Sequence, residues 1–171
     1  MPAEQRTALV TGGSGGLGEA IARALHDAGH TVLIVHSPGN ASIGAWLKTQ
    51  AGEGYDFAAY GADVADHASC QELAGLIQAD GHHIDILVNN AGIGGNSGPA
   101  GELSLDAWQH VIDVNLSGVA YGLRYQIPAI LDAGGGAIVN MSSILGLVGD
   151  ATSAAYVASK HGVTGLTRSA A

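Results

Sequence analysis

Tyr156 and Lys160 are the two side chains in this sequence whose types and spacing most directly suggest chemistry. Side chains four residues apart lie on one face of a helix, so the phenol and the ammonium would be neighbours. A nearby cation stabilises phenolate, which makes a tyrosine a better proton donor and acceptor near neutral pH. The pair therefore suggests acid–base chemistry. The alternative is an exposed tyrosine–lysine pair on a surface helix, because a motif counts only in its structural context.

A glycine-rich segment, TGGSGGLG over residues 11–18, is suited to binding an anion. It follows an apolar stretch and opens a helical pattern, which is the order found in dinucleotide-binding turns. Gly12, Gly16 and Gly18 would allow a tight turn, close approach of the backbone to a pyrophosphate, and close packing of helix on strand. The helix N-terminus adds free N–H groups and the positive end of a dipole. We favour a cofactor-binding turn, with an ordinary glycine-rich βα turn as the alternative.

Five apolar stretches of strand length alternate with helical patterns along the chain. Their near-continuous apolar character is typical of parallel strands that are buried on both faces of a sheet. We predict strands over residues 6–11, 31–35, 55–60, 84–89 and 137–141.

The helical patterns come with recognisable start signals. The first helical pattern runs over residues 16–28 and stops at Gly29. Asp66 is a suitable N-cap for a second helix, and Ser104 is one for a long third helix. Ser153 can open the last helix. Strands that alternate with helices predict a doubly wound, Rossmann-type α/β fold. Because no linker or repeat interrupts residues 1–171, we predict a single dinucleotide-binding and catalytic domain.

Composition and charge exclude several classes of function. The chain has 171 residues, 47% of them hydrophobic, and a formal net charge of −9. An acidic protein is poorly suited to nucleic acid or anionic membranes. The single cysteine, Cys70, and the absence of an apolar leader or spanning segment predict a cytoplasmic protein. No metal site is predicted, because adjacent His82 and His83 point apart and no Cys/His spacing matches a zinc motif.

Four further segments make the pattern specific. They are Asn89-Asn90-Ala91-Gly92, Asn115, Ser142-Ser143 and the run from Tyr156 to Lys160. Together with the glycine-rich turn, they resemble the short-chain dehydrogenase/reductase family in type and in order along nearly the whole chain. The resemblance implies an NAD(P)-dependent oxidoreductase that interconverts a secondary alcohol and a ketone.

The resemblance also assigns roles to residues. Tyr156 would be the general acid in ketone reduction and the base in alcohol oxidation, and Lys160 would also bind the nicotinamide ribose. The family's catalytic serine falls on Ser143, thirteen residues before Tyr156, with Ser142 as the second candidate. Asn115 would belong to a proton relay through water and Lys160; alternatively, it is a buried asparagine that stabilises the core.

Further residues are implied to contact the cofactor. Asp63 and Val64 resemble the family's adenine-contacting pair, although Asp63 could instead cap the next helix. The full set consists of residues in the glycine-rich turn, at the ends of strands and in the catalytic helix: Gly12, Ser14, Gly16, Leu17, Gly18, His36, Ser37, Asp63, Val64, Asn90, Ala91, Gly92, Tyr156 and Lys160.

The end of the second strand bears on the choice of cofactor. NAD-binding proteins of this fold commonly place a carboxylate there for the ribose 2′-hydroxyl, whereas this sequence has His36 and Ser37. The missing carboxylate permits a 2′-phosphate, to which His36, Ser37 and Asn40 could donate, although no arginine or lysine stands nearby. We predict that NADP(H) is preferred and that NAD(H) is possible.

The pattern departs from the family at its C-terminal end. The sequence stops within a helical pattern, so we expect a truncated chain that lacks most of a substrate pocket. We expect a small-molecule alcohol or ketone substrate, with 3-oxoacyl-thioester reduction as one alternative, and a homo-oligomer, as a tetramer or dimer. Two other hypotheses remain: a non-catalytic nucleotide-binding or assembly module, and an epimerase or dehydratase.

Overall fold

A computed structural model describes residues 5–171 and places five parallel strands in one sheet, in the order β3-β2-β1-β4-β5. Alternating strands and helices with β1 at the centre confirm the predicted doubly wound α/β fold. The strands are β1 (Thr7–Thr11), β2 (Thr31–His36), β3 (Phe57–Gly61), β4 (Ile86–Asn89) and β5 (Ala137–Asn140).

The three inner strands supply the core on both faces of the sheet. Leu9, Leu33 and Leu87 are paired in register across β2, β1 and β4, and all three pack into one hydrophobic cluster. The next residue of each strand packs into a second cluster on the opposite face. Burial of each such side chain contributes roughly 1.5–3 kcal/mol, which explains why these strands are apolar without alternation.

Six α-helices connect or flank the strands in the described part of the chain. Two predicted caps are confirmed: Asp66 accepts from the backbone N–H groups of Ala68 and Ser69, and Ser104 accepts from that of Ala107. Among residues 5–171, no helix is both long and apolar enough to cross a membrane. The helices are α1 (Gly16–Asp27), α2 (Ile43–Gly52), α3 (His67–Ala79), α4 (Leu105–Ile112), α5 (Gly118–Asp132) and α6 (Ala154–Ala170).

Helix α2 was not predicted from the sequence. Its apolar residues do not form a regular stripe, and its stability comes from distant contacts. The Trp46 ring stacks on Phe57 of β3 at a centroid distance of 5.7 Å, and its Nε1–H donates to Glu19 of α1 at 2.6 Å. Packing on β3 and α1 therefore decides the helical state of this segment.

The predicted long helix after Ser104 is observed, but it contains an irregular turn. A π-helical turn, Asp113–Ser117, separates α4 from α5. Such turns insert one extra residue and frequently mark functional sites. Asn115 lies in this turn, so the irregularity falls on one of the predicted site residues.

Candidate active site

A cleft of about 820 Å³ lies at the carboxyl edge of the sheet, where all five strands end. In open α/β sheets, ligands bind at this edge, at the point where the strand order reverses. The volume lies within the usual range of cofactor and small-ligand pockets. The lining comes from the segments that follow the strands, from helices α1, α4 and α6, and from the π-helical turn. It includes these predicted residues: Gly12, Gly16, Leu17, Gly18, His36, Ser37, Asp63, Val64, Asn90, Ala91, Gly92, Tyr156 and Lys160.

The glycine-rich turn forms one end of the cleft. Gly12 adopts φ +65°, a conformation that favours glycine, and a Cβ at Gly18 would overlap the Gly12 carbonyl oxygen. A Cβ at Gly16, by contrast, would meet no atom within 4 Å. Helix α1 begins there without a side-chain cap, so the N–H groups of its first turn are available to a ligand.

Thr11, the last residue of β1, fixes the Asn90-Ala91 segment against this turn. Its hydroxyl oxygen accepts from the backbone N–H groups of Asn90 and Ala91, both at 3.0 Å. The Asn90 side chain donates in return to the Thr11 carbonyl at 2.9 Å. Sequence analysis missed this residue, although a threonine at the end of an otherwise apolar strand was a usable signal.

The end of β2 provides a polar rim. His36 Nδ1 lies 2.8 Å from the Ser37 carbonyl oxygen, and both residues line the cleft. Ser14 does not line it: its hydroxyl accepts from Asn40 Nδ2 at 3.3 Å. The Asn40 side-chain oxygen accepts from Ser42, so this amide joins the glycine-rich turn to the segment before α2.

Asp63 lines the cleft and does not cap α3, since Asp66 fills that position. The alternative interpretation of Asp63 is therefore wrong. Its carboxylate accepts from the Ala65 backbone N–H at 3.0 Å. Cys70, in α3, lies beneath this turn with its Sγ 3.7 Å from the Asp63 carbonyl oxygen. Burial, reinforced by the charges of Asp63 and Asp66, raises the pKa of the Cys70 thiol to about 11.

Tyr156 and Lys160 lie on one face of α6, at the end of the cleft opposite the glycine-rich turn. Lys160 is only 4% exposed, and its Nζ lies 5.6 Å from the centroid of the Tyr156 ring. Nζ donates to the Met141 carbonyl at 2.7 Å, a contact that sequence analysis did not anticipate. Burial lowers the pKa of Lys160, because desolvation disfavours the charged ammonium.

The two serines after β5 have different partners. The Ser142 hydroxyl donates to the Lys160 carbonyl at 3.1 Å and contacts Thr164 Oγ1 at 2.9 Å, so it is engaged by α6. The Ser143 hydroxyl accepts from the Leu145 backbone N–H at 3.2 Å, a bond that does not use its own proton. Ser142 is part of the cleft lining, whereas Ser143, the next residue in the chain, is not among the lining residues. Of the two hydroxyls, that of Ser143 keeps a proton that these contacts leave available.

Asn115 is fully buried beside the cleft rather than in its lining. Its side chain accepts from the Ile93 N–H and donates to the Ile93 carbonyl, both at 2.8 Å. The amide also donates to Ser159 Oγ at 3.2 Å, and that hydroxyl donates to the Tyr156 carbonyl at 2.8 Å. Asn115 therefore connects the segment after β4 to the helix that carries Tyr156.

Similarity to known proteins identifies the family to which the chain belongs. A family model described as short chain dehydrogenase matches residues 6–171. The chain belongs to the short chain dehydrogenase family. It is 39% identical over 168 residues to cyclohexanol dehydrogenase of Acinetobacter sp. (strain SE19), and 41% identical over 169 residues to cis-4-hydroxycyclohexanecarboxylate dehydrogenase of Sinomonas cyclohexanicum.

The chain spans about two thirds of the length of those relatives. The two alignments cover 97% and 98% of this chain and 66% of each relative. A crystal structure of an Agrobacterium tumefaciens protein superposes with a TM-score of 0.90 at 36% identity, covering 96% of this chain and 64% of that one. The likeness thus extends over nearly all of this chain.

Several residues that line the cleft were not predicted. Most adjoin predicted residues in the sequence, so the strand ends and the glycine-rich turn were the signal for them. His110 and Val114 are different, since they reach the cleft from α4 and the π-helical turn. The unpredicted lining residues are Gly15, Val35, Ala62, Ile93, Gly94, His110, Val114 and Met141, whereas Ser142 was the second candidate for the catalytic serine.

Proposed function

We propose that the protein is an NAD(P)(H)-dependent oxidoreductase that interconverts a secondary alcohol and a ketone. One observation carries the proposal: a single cleft runs from an uncapped helix N-terminus to Tyr156 and the buried Lys160. The first end suits a pyrophosphate, and the second suits a group that exchanges a proton. The bound cofactor would supply or accept the hydride.

Tyr156 carries the proton in this proposal. In the direction of reduction, its hydroxyl donates a proton to the carbonyl oxygen; in the direction of oxidation, its phenolate removes the hydroxyl proton. The Lys160 ammonium, 5.6 Å from the ring centroid, favours the phenolate electrostatically. The Lys160 ammonium has three N–H donors, and those that do not bond the Met141 carbonyl are available to ribose hydroxyls.

Ser143 would hydrogen-bond the reacting oxygen and stabilise the charge that develops there. Its hydroxyl proton is available in the described contacts, whereas the Ser142 proton is directed at the Lys160 carbonyl. Asn115 would hold the segment after β4 in place and serve a water-mediated relay to Lys160. Its buried amide already bonds both backbone groups of Ile93, which supports the positioning part of that role.

The cofactor's phosphates and adenine would lie along the β1 to β3 end of the cleft. The fit rests on glycines that leave space where a Cβ would intrude, and on N–H groups without a cap. We assign binding to the predicted residues that line this part of the cleft, and to Ser14 through its bond with Asn40.

We also propose a preference for NADP(H) over NAD(H). No carboxylate lies at the end of β2, and the rim offers the donors of His36, Ser37 and Asn40. The ratio of kcat/KM for the two reduced cofactors measures the preference. A tenfold ratio in favour of NADH, equal to about 1.4 kcal/mol, would reverse the assignment.

The proposed reaction is tested by following nicotinamide absorbance in the full-length protein with a panel of secondary alcohols and ketones. We expect net cofactor turnover that depends on substrate. Cofactor binding without turnover would instead support a nucleotide-binding or assembly module. Product formed with no net change in absorbance would indicate an epimerase or dehydratase, in which the hydride returns to the substrate.

A further inference from the structure

Ser159 is a fully buried residue of α6 that lies between Tyr156 and Lys160 in the chain. Its hydroxyl donates to the Tyr156 carbonyl at 2.8 Å and accepts from Asn115 Nδ2 at 3.2 Å. The first bond is of a kind that serines commonly form inside helices. The second bond has its donor in a different element, the π-helical turn, so it joins the catalytic helix to that turn.

Asn115 continues this connection to the segment after β4. Its side chain accepts from the Ile93 N–H and donates to the Ile93 carbonyl, both at 2.8 Å. Ile93 lines the cleft. A continuous series of hydrogen bonds therefore runs from the cleft lining, through the π-helical turn, to the backbone of Tyr156, and the Ser159 hydroxyl is its last side-chain group.

Apolar packing also holds α6 against the π-helical turn. A Cβ at Gly162 would lie 2.7 Å from Leu116 Cδ2, so the two elements approach closely at that point. Apolar contact is not directional, whereas a hydrogen bond favours one relative position of its two partners. We therefore expect α6 to remain packed without the Ser159 hydroxyl, but to lose a constraint on its exact position.

The position of α6 matters because the cleft is lined from both sides at this point. Gly92 and Ile93 come from the segment after β4, and Tyr156 and Lys160 come from α6. A Cβ at Gly92 would lie only 3.6 Å from Lys160 Nζ, so the two sides are close together. A displacement of α6 relative to this segment would change the distance between the Tyr156 hydroxyl and a substrate held beside the cofactor.

We propose that Ser159 is a positioning residue for the reaction. By joining Asn115 to the Tyr156 carbonyl, it fixes α6 relative to the segment after β4 and so sets where the Tyr156 hydroxyl meets the reacting oxygen. Ser159 does not itself line the cleft, so it acts through Tyr156. This inference rests on the proposed function and adds a residue to the same site.

Ser159→Ala tests the inference in the full-length protein, with an alcohol or ketone that the wild type turns over. We expect kcat to fall by about tenfold to a hundredfold, since a displacement on the order of 1 Å can cost that much. Cofactor affinity should change much less, because the proposed sites for the phosphates and adenine lie at the other end of the cleft. The solvent deuterium isotope effect on kcat should rise, because proton transfer becomes slower relative to the other steps.

Thr167→Val is the matched control. The Thr167 hydroxyl makes the same two kinds of bond further along α6: it donates to the Val163 carbonyl at 2.7 Å and accepts from Asn140 Nδ2 at 3.1 Å. Its removal should affect thermal stability at most, and should leave kcat and the isotope effect unchanged. Ser159→Cys keeps a side chain of similar shape with a weak donor and acceptor, so its kcat should lie between those of the wild type and Ser159→Ala.

The contrary outcomes separate the inference from the proposed function. A wild-type kcat in Ser159→Ala, even with a lower melting temperature, would show that Ser159 only stabilises the fold. An equal loss of kcat in Thr167→Val would show that the effect is not specific to the bond with Asn115. Should Ser159→Ala fail to fold, a wild-type kcat and isotope effect in Ser159→Cys would overturn the inference. In each of these cases the proposed function stands, whereas absence of turnover by the wild type with every alcohol and ketone would overturn both.

Discussion

At Tyr156, the ring and the hydroxyl have separable tasks. The ring packs beside the Lys160 ammonium, whereas only the hydroxyl can transfer a proton. Tyr156→Phe should therefore preserve the fold and cofactor affinity while kcat falls by roughly 10²–10⁴-fold, the usual contribution of general acid–base groups. Rate measurements and a cofactor titration provide the check. A variant that retains more than about a tenth of wild-type kcat, a loss of only ~1.4 kcal/mol, would show that another group supplies the proton.

Ser142 and Ser143 are adjacent in the chain, and substituting each in turn compares their contributions to catalysis and to stability. Ser143→Ala should lower kcat with little change in cofactor binding, because its hydroxyl proton is available to the substrate. Ser142→Ala removes the bond to the Lys160 carbonyl, so it should cost about 0.5–1.5 kcal/mol of stability and affect kcat less. Thermal melts combined with steady-state kinetics separate the two effects. The reverse pattern would move the catalytic role to Ser142.

At the scale of elements, the glycine-rich turn depends on close backbone approach. Gly18→Ala should shift the turn, because its Cβ would overlap the Gly12 carbonyl oxygen, and both thermal stability and cofactor affinity should fall. Gly16→Val should block the cleft with the fold retained, since a Cβ at Gly16 meets nothing within 4 Å. Fluorescence titration and melting temperature distinguish these two results.

Gly44→Ala serves as the control for the glycine variants. It lies in α2 with open space around its Cβ position, so the change should be neutral or stabilise the helix by about 0.5–1 kcal/mol. Unaltered cofactor affinity in Gly16→Val would contradict the placement of the pyrophosphate at this turn.

Helix α3 holds the Asp63-Val64 turn through Cys70, and this contact makes stability depend on alkaline pH. The thiol pKa is raised from 9.0 to about 11, so the folded state retains its proton longer than the unfolded state does. The resulting stability is fully present below pH 9 and is lost as pH rises from 9 to 11. For a shift of this size, the loss amounts to roughly 1–3 kcal/mol.

Cys70→Ala should remove this part of the alkaline transition. Unfolding free energies at pH 8 and pH 10.5 should therefore differ less in the variant than in the wild type. Burial is the main reason that the pKa of Tyr60 is raised to about 12. Because Tyr60 is present in both proteins, its contribution to the pH dependence of stability cancels when they are compared. Identical pH slopes would show that Cys70 does not titrate with folding.

For the whole molecule, we predict self-association, as a tetramer or dimer. An apolar groove of about 360 Å³ lies between α5 and α6, and its lining includes Leu123, Ile127 and Leu166. Homo-oligomers commonly bury such surfaces in symmetric interfaces. Ile127→Glu should lower the sedimenting mass, whereas Leu76→Glu, on α3, should not. A wild-type protein that sediments as a monomer at micromolar concentration would contradict the prediction.

The amino-acid sequence by itself determined the elements whose cause is local. The β1–glycine–α1 unit, the caps at Asp66 and Ser104, and the sharing of one helix face by Tyr156 and Lys160 follow from residue type and short spacing. The parallel sheet also followed, because apolar runs without alternation require burial on both faces.

Only the tertiary structure decided features whose partners lie far apart in the chain. Helix α2 depends on Trp46 packing against Phe57 and Glu19, and Thr11 receives its partners from residues 90 and 91. The π-helical turn lies where the Asn115 side chain bonds Ile93. Ser142 and Ser143 differ because α6 engages the Ser142 hydroxyl through the Lys160 carbonyl. Hydrogen bonds and packing between segments tens of residues apart leave no periodic signature in either segment, so they become visible only when the sheet brings the strand ends together.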